Sequence, residues 1–297
     1  MKNTHGNGCT INSPLVIGGV GGSGTRVVAE IIMLAGIHLG YSLNPASDNL
    51  SFTLIFKRNK WLFKVLKNGL PLDRYIALHE ALLLNKPLSL SEKTTLLKVL
   101  FSWAQRGETT LGLGRHWARR FVTEQLMAQT KKPEVSGRWG WKEPNSHILL
   151  HQLFDYYPEM KYVHTIRHGL DMSLSENQQQ LLNWGAMWGG ETRCSPSEIR
   201  QRSLEYWLIA NERVVEFQKL YGQDRVLIIN YDELCSDPVE PIKNLLAFAD
   251  VDVSDACFAS MVTLPKTPSS LGRYKSTDLS SYDNDSLKRV RQLGFQI

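Results

Sequence analysis

The stretch Val16-Ile17-Gly18-Gly19-Val20-Gly21-Gly22-Ser23-Gly24-Thr25-Arg26-Val27-Val28-Ala29-Glu30-Ile31-Ile32-Met33-Leu34-Ala35 decides how the chain is read. A short apolar run meets a glycine-rich turn, and apolar residues then recur at helical spacing, which reads as strand, anion-binding loop and helix. Gly18, Gly19, Gly21 and Gly22 let the backbone take positive φ and approach a ligand without Cβ atoms in the way. Ser23, Gly24 and Thr25 open the helix. Unpaired N–H groups, two hydroxyls and the positive end of the helix dipole thus converge on one point, where a phosphate or sulfate group fits.

The letters on either side narrow the ligand. Gly19, Gly21 and Gly24 satisfy G-x-G-x-x-G, but a dinucleotide site also needs a second strand ending in an acidic residue about 20 positions on. Residues 36–50, GIHLGYSLNPASDNL, read instead as a loop. Gly19 and Gly24 also have nucleoside-triphosphate P-loop spacing, yet Thr25 and Arg26 stand where that loop requires Lys and Ser or Thr. An ATP-dependent kinase is therefore disfavoured.

Length and composition set bounds. At 297 residues and 42% hydrophobic content, the chain reads as one α/β domain spanning 1–297. A net charge of +5 suits an anionic ligand and is too modest and too scattered for nucleic acid. Cys9, Cys194, Cys235 and Cys257 form no metal-ligand spacing, so no metal is expected; reduced thiols point to a cytoplasmic protein. The polar N-terminal tail, residues 1 to 13, has no apolar signal segment, and no window is apolar enough for a membrane span.

Along the chain, a strand at Leu15–Val20 leads to a helix from Gly24 to Gly36 and the loop Tyr41–Asn49. From residue 50 to 130, apolar residues recur three or four apart, broken at Pro71, Pro87 and Gly107, which predicts a helical insertion serving as a lid or acceptor region. Trp61, Lys64, Trp103, Arg115 and Trp117 within it would suit a sugar-like acceptor, although core packing explains the tryptophans equally well. Order resumes with Arg138–Pro144, a helix Ser146–Tyr156, a strand Lys161–Arg167, a helix Leu170–Leu182, a helix Pro196–Tyr221, a strand Arg225–Asn230 and a helix Val239–Phe248. Leu264–Asp285 reads as loop. The alternation implies a mostly parallel sheet covered on both faces.

Four segments then match one family in chain order. Gly22-Ser23-Gly24-Thr25-Arg26 resembles the 5′-phosphosulfate loop of the sulfotransferases that use 3′-phosphoadenosine 5′-phosphosulfate (PAPS), with Gly22 where that family usually has a basic residue. Arg167, Asp171 and Ser175 have the spacing of its 3′-phosphate motif; on a continuous helix Ser175 would lie about two turns along one face. Residues 226–238, VLIINYDELCSDP, are similar to its strand and Y-E-D-L…D-P segment. Gly272-Arg273-Tyr274-Lys275 resembles the C-terminal loop that folds over the bisphosphate. The resemblance implies a P-loop-like three-layer α/β sandwich with a helical insertion, in which Gly21, Gly22, Ser23, Gly24, Thr25, Arg26, Arg167, Ser175, Gly272, Arg273, Tyr274 and Lys275 bind PAPS and its product adenosine 3′,5′-bisphosphate.

It also implies that Lys142, in a K-E-P run similar to the family's K-x-P segment, points at the sulfuryl group, with Arg26 as a second source of the charge that Gly22 lacks. For the base that takes the acceptor's proton, Asp48 is favoured, with Glu143 and His147 as alternatives. The expected reaction is sulfuryl transfer to a hydroxyl or amine of an unidentified small molecule or carbohydrate. A relative that binds the nucleotide without turnover is the alternative.

Overall fold

The computed structural model describes residues 13–104, 114–128, 132–189, 195 and 197–297. The expectations placed on the tail before residue 13, on Cys9 and Cys194, on the break at Gly107 and on a helix start at Pro196 lie outside those residues.

Four strands make one sheet: β1 (Leu15–Gly19), β2 (Gly140–Lys142), β3 (Lys161–Ile166) and β4 (Val226–Asn230). Their order is β2-β1-β3-β4 and every pairing is parallel. β1 runs between β2 on one side and β3 on the other, so the strand order reverses at β1. The crevice beyond the carboxyl ends of β1 and β3 is where an open parallel sheet binds ligands. The strands are short and apolar on both faces, as befits a sheet buried on both sides.

Alternation along the strands feeds two cores. Leu15, Ile17 and Val163 pack against α1 (Thr25–Leu34), α11 (Tyr231–Ser236), α12 (Val239–Phe248) and α13 (Asp255–Val262), through Ile31, Ile32, Leu234, Leu245 and Met261. Val16 and Tyr162 face the opposite and larger core. It holds the insertion helices α2 (Leu50–Phe56), α3 (Asn59–Lys67), α4 (Asp73–Leu83), α5 (Leu90–Ala104) and α6 (Arg115–Ala128). The same core includes α7 (Leu150–Tyr156), α8 (Gly169–Ser173), α9 (Gln179–Trp184), α10 (Ile199–Tyr221) and α14 (Asn284–Gln292).

The insertion is helical, as its periodicity predicts, and its tryptophans are structural. Trp103 is buried and donates its indole N–H to Leu54 O at 2.7 Å. Trp117 packs between Trp103 and Phe121. Trp61 is covered by the Arg58 guanidinium at 3.7 Å. Lys64 and Arg115 are exposed.

Three element boundaries differ from expectation. The helix expected over Leu170–Leu182 is two pieces, α8 and α9, separated by 174–178. Ser173 Oγ donates back to Leu170 O at 2.8 Å, and Gln178 Nε2 donates to the carbonyls of Ser173 and Ser175 at 3.0 and 2.5 Å. The last carbonyls of α8 are thereby satisfied by a side chain and the helix stops. Residues 144–149 form a tighter 3₁₀ stretch ahead of α7, started where the Glu143 carboxylate accepts the Asn145 N–H at 2.8 Å. The 264–285 loop contains a 3₁₀ turn at Arg273–Ser276 and ends in α14. No helix among the described residues is long and apolar enough to cross a membrane.

Candidate active site

A cleft of about 590 Å³ opens at the carboxyl edge of the sheet. It is lined by the loop after β1 (Val20, Gly21, Gly22, Gly24, Thr25, Arg26), by Lys142 at the end of β2 and Asn145 beyond it, and by Arg167, Met172 and Ser175 after β3. Tyr231 after β4, Tyr206 and Trp207 of α10, Ser270 and Arg273 complete one side. Ala46, Asp48 and Lys57 come from the segment that precedes and enters the insertion.

The glycine loop is shaped by close approach. Gly24 caps α1 in the left-handed region at φ 88°, and a Cβ there would lie 2.0 Å from the Tyr231 ring. The helix start therefore has no capping side chain, and its first residues, Thr25 and Arg26, line the cleft. Thr25 is buried yet lines the cleft, while Arg26 is exposed at its edge. Ser23 is placed differently from expectation: its side chain is fully buried beneath the loop and does not line the cleft. Its N–H donates to Val20 O at 3.0 Å and closes the turn.

At one end of the cleft stands Arg167, only 7% exposed. Its Nη2 donates to Ser270 Oγ at 2.9 Å, and its Nε lies 3.9 Å from Asp232. Ser175 lines the same end, but from the turn after α8 and not from a helical face. Asp171 is fully buried and acts on the C-terminal loop: its carboxylate accepts the N–H of Gly272 at 2.6 Å and of Tyr274 at 3.1 Å. Its carbonyl accepts the Arg273 Nε at 2.9 Å and Nη2 as well. Of that loop only Ser270 and Arg273 reach the cleft; Gly272, Tyr274 and Lys275 do not line it. Tyr274 stacks on His168 at 4.0 Å, and both donate to Gln296 O, so His168 fastens the C-terminal segment.

The cleft also receives two lysines, each paired with a carboxylate, of which only Asp48 lines the cleft. Lys142 Nζ lies 2.5 Å from Asp48 Oδ1 and donates to Ala46 O at 2.9 Å. The Asp48 loop is built by Asn44, whose Oδ1 accepts the N–H groups of Ala46 and Asp48 and whose Nδ2 donates to Asp48 Oδ2 at 3.0 Å. The Asn49 N–H then donates to Lys142 O at 2.8 Å and pins this loop to β2. Asn49 also caps α2, accepting the N–H of Ser51 and Phe52. Lys57, at the far end of that helix, which is buried from Ser51 to Phe56, pairs with Glu143. Burial alone would lower the Lys57 ammonium, but Glu143 and then Asp48 outweigh it and hold its pKa above the usual lysine value. Burial raises the Glu143 carboxyl against the pull of Lys57.

These contacts separate the three carboxylate and imidazole candidates. Asp48 lines the cleft. Glu143 is fully buried outside it, with its oxygens taken by Lys57 and by the main and side chains of Asn145. His147 is also buried away from the cleft and lines a different cavity. Trp61, Lys64, Trp103, Arg115 and Trp117 do not line the cleft either. Lys57, which no spacing or motif singles out, does; in the letters Phe56-Lys57-Arg58-Asn59 it reads as a solvated helix end.

No curated protein matches the chain in sequence. Among solved structures, the sulfotransferase domain from the curacin biosynthetic pathway aligns at TM-score 0.51 and 12% identity, covering 96% of this chain and 98% of that one. The sulfotransferase domain of the Synechococcus PCC 7002 olefin synthase aligns at 0.48 and 16%, covering 96% of each chain. A Mycobacterium avium sulfotransferase aligns at 0.48 and 15%, covering 97% of this chain and 78% of that one. The family described as "Sulfotransferase family" matches residues 14–255, a span that holds the glycine loop, Lys142, Arg167 and Ser175. The chain belongs to the sulfotransferase family of PAPS-dependent transferases.

Proposed function

We propose that this protein binds PAPS in the cleft and transfers the sulfuryl group to a hydroxyl or amine of a small acceptor. The observation that carries the reading is the convergence of two buried lysines, Lys57 and Lys142, on the cleft that also receives the uncapped start of α1, Arg167 and Arg273. A nucleotide with phosphate groups at two positions fits this distribution of cations. Arg167 retains a buried Nε with no hydrogen-bond partner, which suits a further anionic oxygen at that end.

PAPS, when bound, supplies the sulfuryl group and a 5′-phosphate oxygen that leaves as the acceptor oxygen bonds to sulfur. The protein's task is to hold donor and acceptor in line and to meet charge that spreads over the sulfuryl oxygens. The α1 N–H groups, Thr25 and Lys142 do this from the loop side, and Lys57 adds a second ammonium in place of the basic residue replaced by Gly22. Asp48 takes the acceptor's proton. Asn44 and Lys142 orient its carboxylate, and entry of an anion beside Lys142 loosens that pair and frees Oδ1. Arg167, Ser175 and Arg273 hold the 3′-phosphate, and Asp171 positions the loop that carries Arg273.

The test is calorimetric titration with adenosine 3′,5′-bisphosphate beside adenosine 5′-monophosphate and ATP with Mg²⁺. Preference for the bisphosphate is the expected result, followed by transfer from labelled PAPS in an acceptor screen. Preference for ATP, or binding of none of the three, overturns the reading.

A further inference from the structure

Two adjoining cavities, of about 470 and 350 Å³, lie beside α10 and share the side chains of His151 and Arg213. Neither residue lines the nucleotide cleft, and neither does His147, which lines the smaller cavity. The walls are largely apolar: Leu66, Met187 and Trp188 in one cavity, Ile209, Phe217 and Leu220 in the other. This is the size and character of a small-molecule site, in which a few polar groups fix one end of an apolar ligand.

Two of the polar side chains lining these cavities, His147 and Arg213, have nitrogens without a hydrogen-bond partner among the described residues. His147 is 2% exposed, and neither ring nitrogen makes a hydrogen bond. Arg213 Nη1 is buried without a partner, and the guanidinium lies 4.8 Å from the Trp188 ring centre. Two carboxylates also line the smaller cavity, and both are engaged elsewhere. Arg289 grips Glu212 with bonds of 2.6 and 2.8 Å, and Lys219 holds Glu216 at 2.7 Å. Among the described residues no carboxylate pairs with Arg213. Burial, then the neighbouring His164 and Arg213, keep the His147 imidazole neutral, so one of its nitrogens carries a proton to donate.

A half-buried cation without a counter-ion and a buried imidazole without a bond are each costly to leave so. One ligand anion would satisfy both. Lys67 lines the larger cavity as well and adds positive charge. A metal ion is disfavoured by the guanidinium, and a neutral apolar molecule would leave Arg213 and His147 unpartnered.

We propose that these cavities form a second binding site, distinct from the nucleotide cleft, for a small amphipathic anion: a carboxylate or sulfate monoester head on Arg213 and His147, with its hydrocarbon body along Trp188 and Phe217. The site stands independently of the PAPS reading, because none of the residues that line it lines the nucleotide cleft; Tyr206 of the cleft adjoins it, with its ring 5.3 Å from Trp188.

The test is calorimetric titration of the full chain with octyl sulfate, octanoate, octanol and octyltrimethylammonium below their micellar concentrations, with and without adenosine 3′,5′-bisphosphate. One equivalent of octyl sulfate or octanoate binds, and their ratio identifies the preferred head group. The ammonium compound does not bind, and octanol binds more weakly. Arg213→Met weakens the anions by about tenfold or more, Arg213→Lys restores most of the affinity, and bisphosphate binding is the same in all three proteins. Equal binding of octanol or the ammonium compound, unchanged affinity in Arg213→Met, or displacement of the anion by the bisphosphate would each overturn the proposal.

Discussion

The two ends of the cleft are built by different means. The proposed nucleotide end draws mainly on backbone, a glycine loop and a helix start, with Arg167 and the Ser175 turn, and is closed by a loop that Asp171 holds. The proposed reaction end is made of long side chains held by carboxylates. Asp48 comes from an Asn44-organised loop, Lys57 from the end of a buried helix, and Lys142 and Glu143 from the edge of β2. Anion binding tolerates a site drawn mainly from main-chain N–H groups, because their direction is set by the turn itself. Stabilising a developing charge requires ammonium groups held at fixed places, and a long lysine is fixed only when buried against a carboxylate.

If the division is real, substitutions at the two ends separate rate from affinity. Lys142→Ala is expected to lower kcat on the order of a hundred- to a thousand-fold, the range seen when a charge-stabilising donor is removed, while bisphosphate affinity changes little. Single-turnover transfer from labelled PAPS, with calorimetry on the same variant, measures both. An affinity loss as large as the rate loss would erase the distinction. Arg167→Ala is expected to do the converse, weakening adenosine 3′,5′-bisphosphate by about ten- to a hundred-fold through lost charge-assisted bonds. Adenosine 5′-monophosphate, which lacks the 3′-phosphate, should bind the variant and the parent alike. Equal losses for both nucleotides would move Arg167 away from the 3′-phosphate.

The same division explains what could be read from the letters. The glycine loop and the Arg167–Asp171–Ser175 spacing are local patterns, each completed within a dozen or so residues, and the parallel αβ order is a succession of such short apolar strands and helices; the fold and the family agree with them. Ser175 was legible as a residue near the cleft, which it lines, but not in its placement, because the break after α8 depends on Gln178 reaching back to two carbonyls. Lys57 was illegible because its burial is decided by Glu143, far away in sequence. Glu143 and His147 share a segment with Lys142 and so read as candidate bases. The 3₁₀ turn sends the first under β2 and the second into another cavity, and sequence proximity to a lysine does not predict that. The tryptophans of the insertion left two readings open, because aromatic content looks the same for a core and for a sugar platform, and they pack in the core.

A third substitution probes how the nucleotide end is held together. Asp171 touches no part of the cleft surface, yet it accepts two N–H groups from the loop that brings Arg273 in. Asp171→Asn keeps the shape and replaces one acceptor oxygen by a donor that faces an N–H. An affinity loss of about tenfold is expected for the bisphosphate, comparable to one charge-assisted hydrogen bond, with kcat nearly unchanged at saturating PAPS. Calorimetry and a saturation curve check this. A fall in kcat without a change in affinity would place the C-terminal loop at the reaction end.

The smallest effect expected is at Gly22, which stands where the resembled phosphosulfate loop implies a basic residue. The position has φ +97°, and an added Cβ would sit 3.3 Å from the Met172 methyl, so a side chain there brings backbone strain whatever its charge. Strain of this kind costs about 1 kcal/mol or somewhat more, which thermal unfolding of Gly22→Lys should show as a modest drop in midpoint. If Lys57 already supplies the missing ammonium, the new lysine adds nothing to kcat and the variant is simply less stable. In a Lys57→Met background, by contrast, the same Gly22→Lys change should recover part of the lost rate, since the cation is then absent. A gain in kcat from Gly22→Lys alone would mean that Lys57 does not serve the sulfuryl group and that the loop of this protein is short of charge as it stands.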